Sequence, residues 1–145
     1  MFTQDKDKLR AFYARSFERF EAGQPLEPLE ALVAGVVAEH PEYRDYVVNP
    51  ERRAEDFSVE RGETNPFLHM GLHVALREQS KADRPPGMAV LYRQVLGTAS
   101  DAHEAEHKMM DCLAETMWEA QSAGRPPDEA AFLERLRRLA PLARR

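Results

Sequence analysis

Apolar residues recur along most of this chain at intervals of three and four, and the interruptions fall at residues that end helices. In the first segment Leu9, Phe12, Tyr13, Phe17 and Phe20 keep that spacing, and Gly23 stands where a helix commonly ends in a left-handed residue. The pattern predicts a helix over about 4–22. Leu29, Leu32, Val33, Val36, Val37 and His40 continue the same period until Pro41 stops it, which predicts a second helix over about 28–40. A third opens at Thr64 or Asn65 as its cap, tolerates Pro66 in its first turn, and runs to about Ser80. Nearly every residue from Phe67 to Leu76 is apolar, the mark of a central, buried helix. The turn ADRPPG leads into a short helix over about 88–97. A long helix begins at Ser100 or Asp101, where Asp101 and Glu104 have capping-box spacing, and continues to Gly124. After RPPD, the stripe Phe132, Leu133, Leu136 and Leu139 marks a last helix. No segment reads as a strand. The expectation is an all-α, single-domain helical bundle of about five or six helices over residues 1–145.

Residues 41–65 break this rhythm. They are mixed polar, with Tyr43, Tyr46, Phe57, an Asn49-Pro50 turn and Gly62. A connection of that length is uncommon in a compact domain unless it covers a surface or a site, so it is expected to serve as a lid.

Composition narrows the setting. The 145 residues are 43% hydrophobic and 31% charged, with 20 basic against 25 acidic side chains, a formal charge of −5. That suits one soluble domain large enough to bury a core without disulfides or metal. The opening MFTQDKDKLR lacks the apolar core of a secretory signal, and no apolar run approaches the roughly 18 residues of a spanning helix, so the expectation is a cytoplasmic protein with no membrane partner. The tail holds Arg125, Arg135, Arg137, Arg138, Arg144 and Arg145 against Asp128, Glu129 and Glu134, but only Phe132 interleaves as an aromatic. It reads as a solvated helix face rather than a nucleic-acid surface. A homo-oligomer stays open. A single cysteine, Cys112, excludes an intrachain disulfide, a CxxC pair and a Cys₄ zinc site.

Histidine placement is the informative feature. His69 and His73 lie four apart in the third helix, and His103 and His107 four apart in the long one. At about 100° per residue, i and i+4 share one face a turn apart, the spacing with which a helix offers two imidazoles to one ion. On the wheel of the long helix Met110, Ala114, Met117 and Trp118 fall within about 60° of His103, which predicts that both histidines point inward with them. The third helix, apolar nearly all round, leaves His69 and His73 little solvent face. Imidazoles buried without partners cost about 1–3 kcal/mol each, and a metal ion supplies one kind of partner. If the helices alternate up and down, both pairs arrive near one end of the bundle, as does His40. Four imidazoles fit tetrahedral zinc; three with Glu106, Glu63 or water leave an open position suited to iron or copper chemistry or to hydrolysis. Zinc is the first choice and iron the second. Glu106 lies on the apolar side of its helix and is the carboxylate expected to act as ligand, supporting partner or general base.

Other chemistry-bearing residues have simpler readings. Cys112 falls opposite His103 and reads as a packing residue, and the methionines as core filler. Arg77-Glu78 reads as the exposed edge of the third helix, with a buried ion pair as the alternative. No GxSxG, P-loop or GxGxxG occurs.

The stretches TNPFLHMGLHVALREQ, DRPPG, HEAEHKMMDCLAETMWEAQ and GRPPDEAAFLERLRRL resemble an uncharacterised proteobacterial family, the domain of unknown function 1841. The resemblance extends over nearly the whole chain, including LEPLE and AEHPEY. It implies a small helical bacterial protein and carries no activity with it. It also implies a further imidazole where this chain has Arg44, after HPEY, and so leaves His40 outside the expected ligand set. Two readings follow from the residues: a metal-binding protein with His69, His73, His103 and His107 as ligands and Glu106 as the base of a metal-dependent hydrolysis, or a non-enzymatic interaction module with a structural histidine cluster.

Overall fold

In the computed structural model, which describes residues 2–57 and 63–140, the six predicted helices form at or within about two residues of their expected ends. They are α1 (Phe2–Glu21), α2 (Pro28–Ala38), α5 (Pro66–Ala82), α6 (Met88–Leu96), α7 (Ala102–Ala123) and α8 (Glu129–Leu139). No strand occurs among the described residues. Among the described residues the α-helices number eight rather than five or six, because two short ones, α3 (Arg44–Val48) and α4 (Pro50–Arg53), follow a 3₁₀ turn at Pro41–Tyr43. Among the described residues no helix is long and apolar enough to cross a membrane. The contacts divide the chain into two compact units, one ending at Val74 and the other starting at Ala75, so each takes one half of α5.

The first unit is organised by the apolar faces of α1 and α2. Tyr13 and Phe17 from α1 join Val33, Val36 and Val37 from α2, Val47 from α3, and Phe67, Met70 and Val74 from α5 in one buried cluster. The Tyr13 and Phe67 rings meet edge to face with centroids 6.0 Å apart. Burial of Glu30 in α2 is met by Arg19, at 2.8 Å, and by the backbone amide of Glu27, also at 2.8 Å, which closes a capping box.

Residues 41–57 are pinned to α1 rather than left as an open loop. Arg10 is buried, and its guanidinium donates to the carbonyls of Arg53 and Glu55, both at 2.8 Å, while lying 4.6 Å from the Phe67 ring centroid. The Asn49 side chain caps α4 by accepting from the amides of Glu51 and Arg52. Arg53 donates to the Val47 carbonyl at 2.6 Å, and Arg52 stacks 4.0 Å from the Tyr46 ring centroid. No periodicity announces such a segment, because single polar contacts decide its shape. The rest of the predicted lid, residues 58–62 with Gly62, lies outside the described residues.

In the second unit α6, α7 and α8 pack on one another. Met88, Leu91 and Val95 from α6, Met109, Met110, Leu113 and Ala120 from α7, and Phe132 and Leu136 from α8 are buried. Asp83, at φ 52°, accepts from the amides of Gly87 and Ala89 and so starts α6. Asp101 caps α7 through the His103 amide at 3.0 Å, and Asp128 caps α8 through that of Ala131. Arg135 fastens α8 to α7 by donating to Thr116 Oγ and to both oxygens of Glu119. Arg137 and Arg138 lie beside Glu134, and Arg144 and Arg145 lie outside the described residues.

Replacing Arg10 by alanine removes two charged hydrogen bonds and a ring contact. It is expected to lower stability in urea unfolding by about 1.5–3 kcal/mol and to raise amide exchange across residues 50–57. Lys6→Ala, which breaks the exposed pair with Asp56, is expected to leave the urea midpoint nearly unchanged.

Candidate metal centre

The histidines of the first unit converge. Asn65 starts α5 by accepting from the amides of Phe67 and Leu68, at 2.9 and 3.2 Å, and this fixes the helical phase that turns His69 and His73 to one side. Their ring centroids are 5.0 Å apart. His40, at the end of α2, lies 5.2 Å from His69 and 4.9 Å from His73 by the same measure. Its ring is stacked on Tyr43, with an interplanar angle of 4°, and its Nδ1 donates to the Val36 carbonyl at 2.7 Å. A carbonyl can only accept, so this bond fixes the tautomer with the lone pair on Nε2. Burial pushes the Tyr43 phenol above its usual pKa, aided by the charge of Glu42.

In the second unit His103 and His107 stand on consecutive turns of α7, with centroids 4.3 Å apart. The first unit thus gathers three imidazoles and the second holds a pair, and together these are all five histidines of the chain. His40 and His73 are buried, at 1% and 0% exposure, and the other three are half-buried.

Two expectations about α7 change. Its buried face is centred on Ala105, Glu106, Met109, Leu113, Thr116 and Ala120, not on His103, while Trp118 is 67% exposed and Met117 is exposed too. With those two apolar residues exposed, the buried face lies about a quarter turn from the expected one. His103 and His107 stand at the rim of that face instead. The reason is Glu106, only 2% exposed, whose charge needs partners inside the unit.

Those partners are Arg77 and Tyr92. Arg77 Nε donates to Oε2 of Glu106 at 2.9 Å and Nη2 to Oε1 at 3.0 Å, a two-pronged pair, and the Tyr92 hydroxyl donates to Oε2 as well. Arg77 was expected at an exposed edge; it is the buried-pair alternative that forms, and Glu78 alone is exposed. The partner of Arg77 is 29 positions away, which no local pattern reveals. Burial pushes the Tyr92 phenol far above its usual pKa, and its bond to Glu106 and the charge there push in the same direction.

Cys112 is half-buried and outside the histidine group, and burial together with Asp111 and Glu115 raises its thiol pKa. The histidine missing from the expected ligand set is His40. Its place on the apolar stripe of α2 and its arrival at the same end were visible in the sequence, but it has no HxxxH partner to draw attention to it.

The family model described as domain of unknown function (DUF1841) matches residues 5–138. No curated protein and no solved structure matches the chain.

The Glu106 cluster makes two predictions. Glu106→Ala leaves Arg77 without its carboxylate and is expected to cost about 3–5 kcal/mol in denaturant unfolding. A phenol whose pKa is raised by folding adds stability that is complete below the unfolded value near pH 10 and is lost as the pH rises beyond it. Tyr92 is therefore expected to be the last tyrosine to ionise, and Tyr92→Phe to remove the latest step of the phenolate absorbance titration.

Proposed function

The chain belongs to the DUF1841 family, whose description assigns no activity, and from its own residues we propose that it is a metal-binding protein that holds a divalent transition-metal ion through His40, His69 and His73, with His103 and His107 as its further ligands. The observation that carries this reading is the convergence of three imidazoles within the first unit, with ring centroids 5.2, 4.9 and 5.0 Å apart. Metal–nitrogen bonds of about 2.0–2.1 Å let rings at that spacing share one ion. The bond from His40 Nδ1 to the Val36 carbonyl supports the same reading, since metal-binding imidazoles commonly donate their other N–H to a carbonyl or carboxylate.

Donor number bears on the metal. Zinc in structural sites closes with four ligands, whereas five imidazoles suit an ion that accepts five or six, which puts iron ahead of zinc. Glu106 has both oxygens engaged by Arg77 and Tyr92. We assign it to positioning: it fixes α7, and with it the adjoining His103 and His107, against the C-terminal half of α5. This reading therefore does not use Glu106 as the base of a hydrolysis.

The test is elemental analysis of untagged protein with added Zn²⁺, Fe²⁺ or Co²⁺. Binding is expected near one ion per chain, with a rise of several degrees in Tm at about a hundredfold excess over Kd. His40→Ala and His107→Ala are each expected to weaken binding at least about tenfold, and Cys112→Ser to leave it unchanged. Wild-type protein that takes up less than about 0.2 ion per chain, with an unmoved Tm, would reject the metal and leave an interaction module with a structural histidine cluster.

A further inference from the structure

In the first unit one phenol ring touches imidazoles from two different elements. Tyr43 lies parallel to His40, at an interplanar angle of 4° with centroids 5.6 Å apart, and meets His69 edge to face, at 73° and 5.7 Å. The backbone dictates the first of these contacts. Pro41 opens a 3₁₀ turn capped by His40, and the amide of Tyr43 donates to the His40 carbonyl at 2.8 Å. Side chains three apart eclipse one another in that geometry, so a ring at position 43 is laid against a ring at position 40. His40 is thereby held in two directions. The bond from its Nδ1 to the Val36 carbonyl, at 2.7 Å, sets where the ring points within its plane, and the phenol sets the plane itself. Tyr43 in turn packs against the buried cluster of the first unit.

We infer that Tyr43 is a positioning residue of the metal centre, whose ring holds His40 and His69 in their ligating orientation before the ion arrives. This assignment rests on the metal-binding reading above and uses residues of the first unit only. Imidazoles that are already oriented have less freedom to lose on binding, so the ring raises metal affinity without being a ligand itself. Both contacts are made by the ring, and neither requires the hydroxyl.

The test compares, in the full chain, Tyr43→Phe, which keeps the ring, with Tyr43→Leu, which keeps apolar bulk without it. Co²⁺ affinity is measured by competition with a coloured chelator, and the visible bands of the bound cobalt report how its ligands are arranged. Tyr43→Phe is expected to stay within about twofold of wild type with the same bands, and Tyr43→Leu to bind at least about tenfold more weakly with altered bands. Equal losses in the two variants would overturn the assignment, since the hydroxyl would then be the acting group. Wild-type affinity and bands in Tyr43→Leu, even with a lower Tm, would also overturn it and leave the ring a purely structural part. The wild-type chain gives a check that needs no folded variant of the ring: the Tyr43 ring-proton resonances are expected to shift strongly on cobalt loading, and unmoved resonances would count as a third refutation. Failure of wild-type protein to bind cobalt would instead remove the metal reading and this inference with it.

Discussion

A carboxylate removed from water must be met by charge and hydrogen bonds, and Glu106 sets this requirement for the second unit. Its two oxygens take a guanidinium from α5 and a phenol from α6, so three helices are held by one buried group. Isolated, that charge would cost several kcal/mol or shift to its neutral form; with a two-pronged arginine it becomes a geometric constraint. The phase of α7 follows from it. With Glu106 turned inward, Ala105, Met109 and Leu113 come with it, and His103 and His107 are left at the rim where a ring can reach past the helix.

Arg10 has the corresponding part in the first unit. One buried cation gathers two carbonyls of the α4 region and the Phe67 ring, and thereby shapes a segment with no apolar repeat of its own. Both units use an arginine turned into the fold where the hydrophobic pattern gives no instruction. The difference is in the acceptor: Arg77 pairs directly with a carboxylate, while Arg10 donates to carbonyl dipoles and lies against the Phe57 and Phe67 rings, the weaker arrangement.

This division explains what could be read in advance. The six long helices were legible because periodicity and punctuation agree: Gly23, Pro41, Pro66, Gly87 and Gly124 stand at or beside helix ends. The short helices after Pro41 were not, since Asn49, Arg52 and Arg53 act through individual bonds. Within the site, the two i,i+4 pairs were legible as pairs, but the orientation of α7 was not, because Met117 and Trp118 are apolar and yet exposed. Exposed apolar residues are common enough that a wheel drawn on hydrophobicity alone can be turned by two of them. The functional weight of Arg77 was the least legible, because its meaning is in a residue on another helix.

The histidine group also has a consequence for how the protein meets oxidants. Thiolate sites fail when sulfur climbs from sulfenic to sulfinic acid, and the ligands are lost with the metal. Imidazoles have no sulfur to lose, and the sole cysteine has its thiol held toward the protonated, unreactive form by burial and by Asp111 and Glu115. The chain thus puts the imidazoles it gathers beyond the reach of that oxidation and leaves its one thiol slow to enter it.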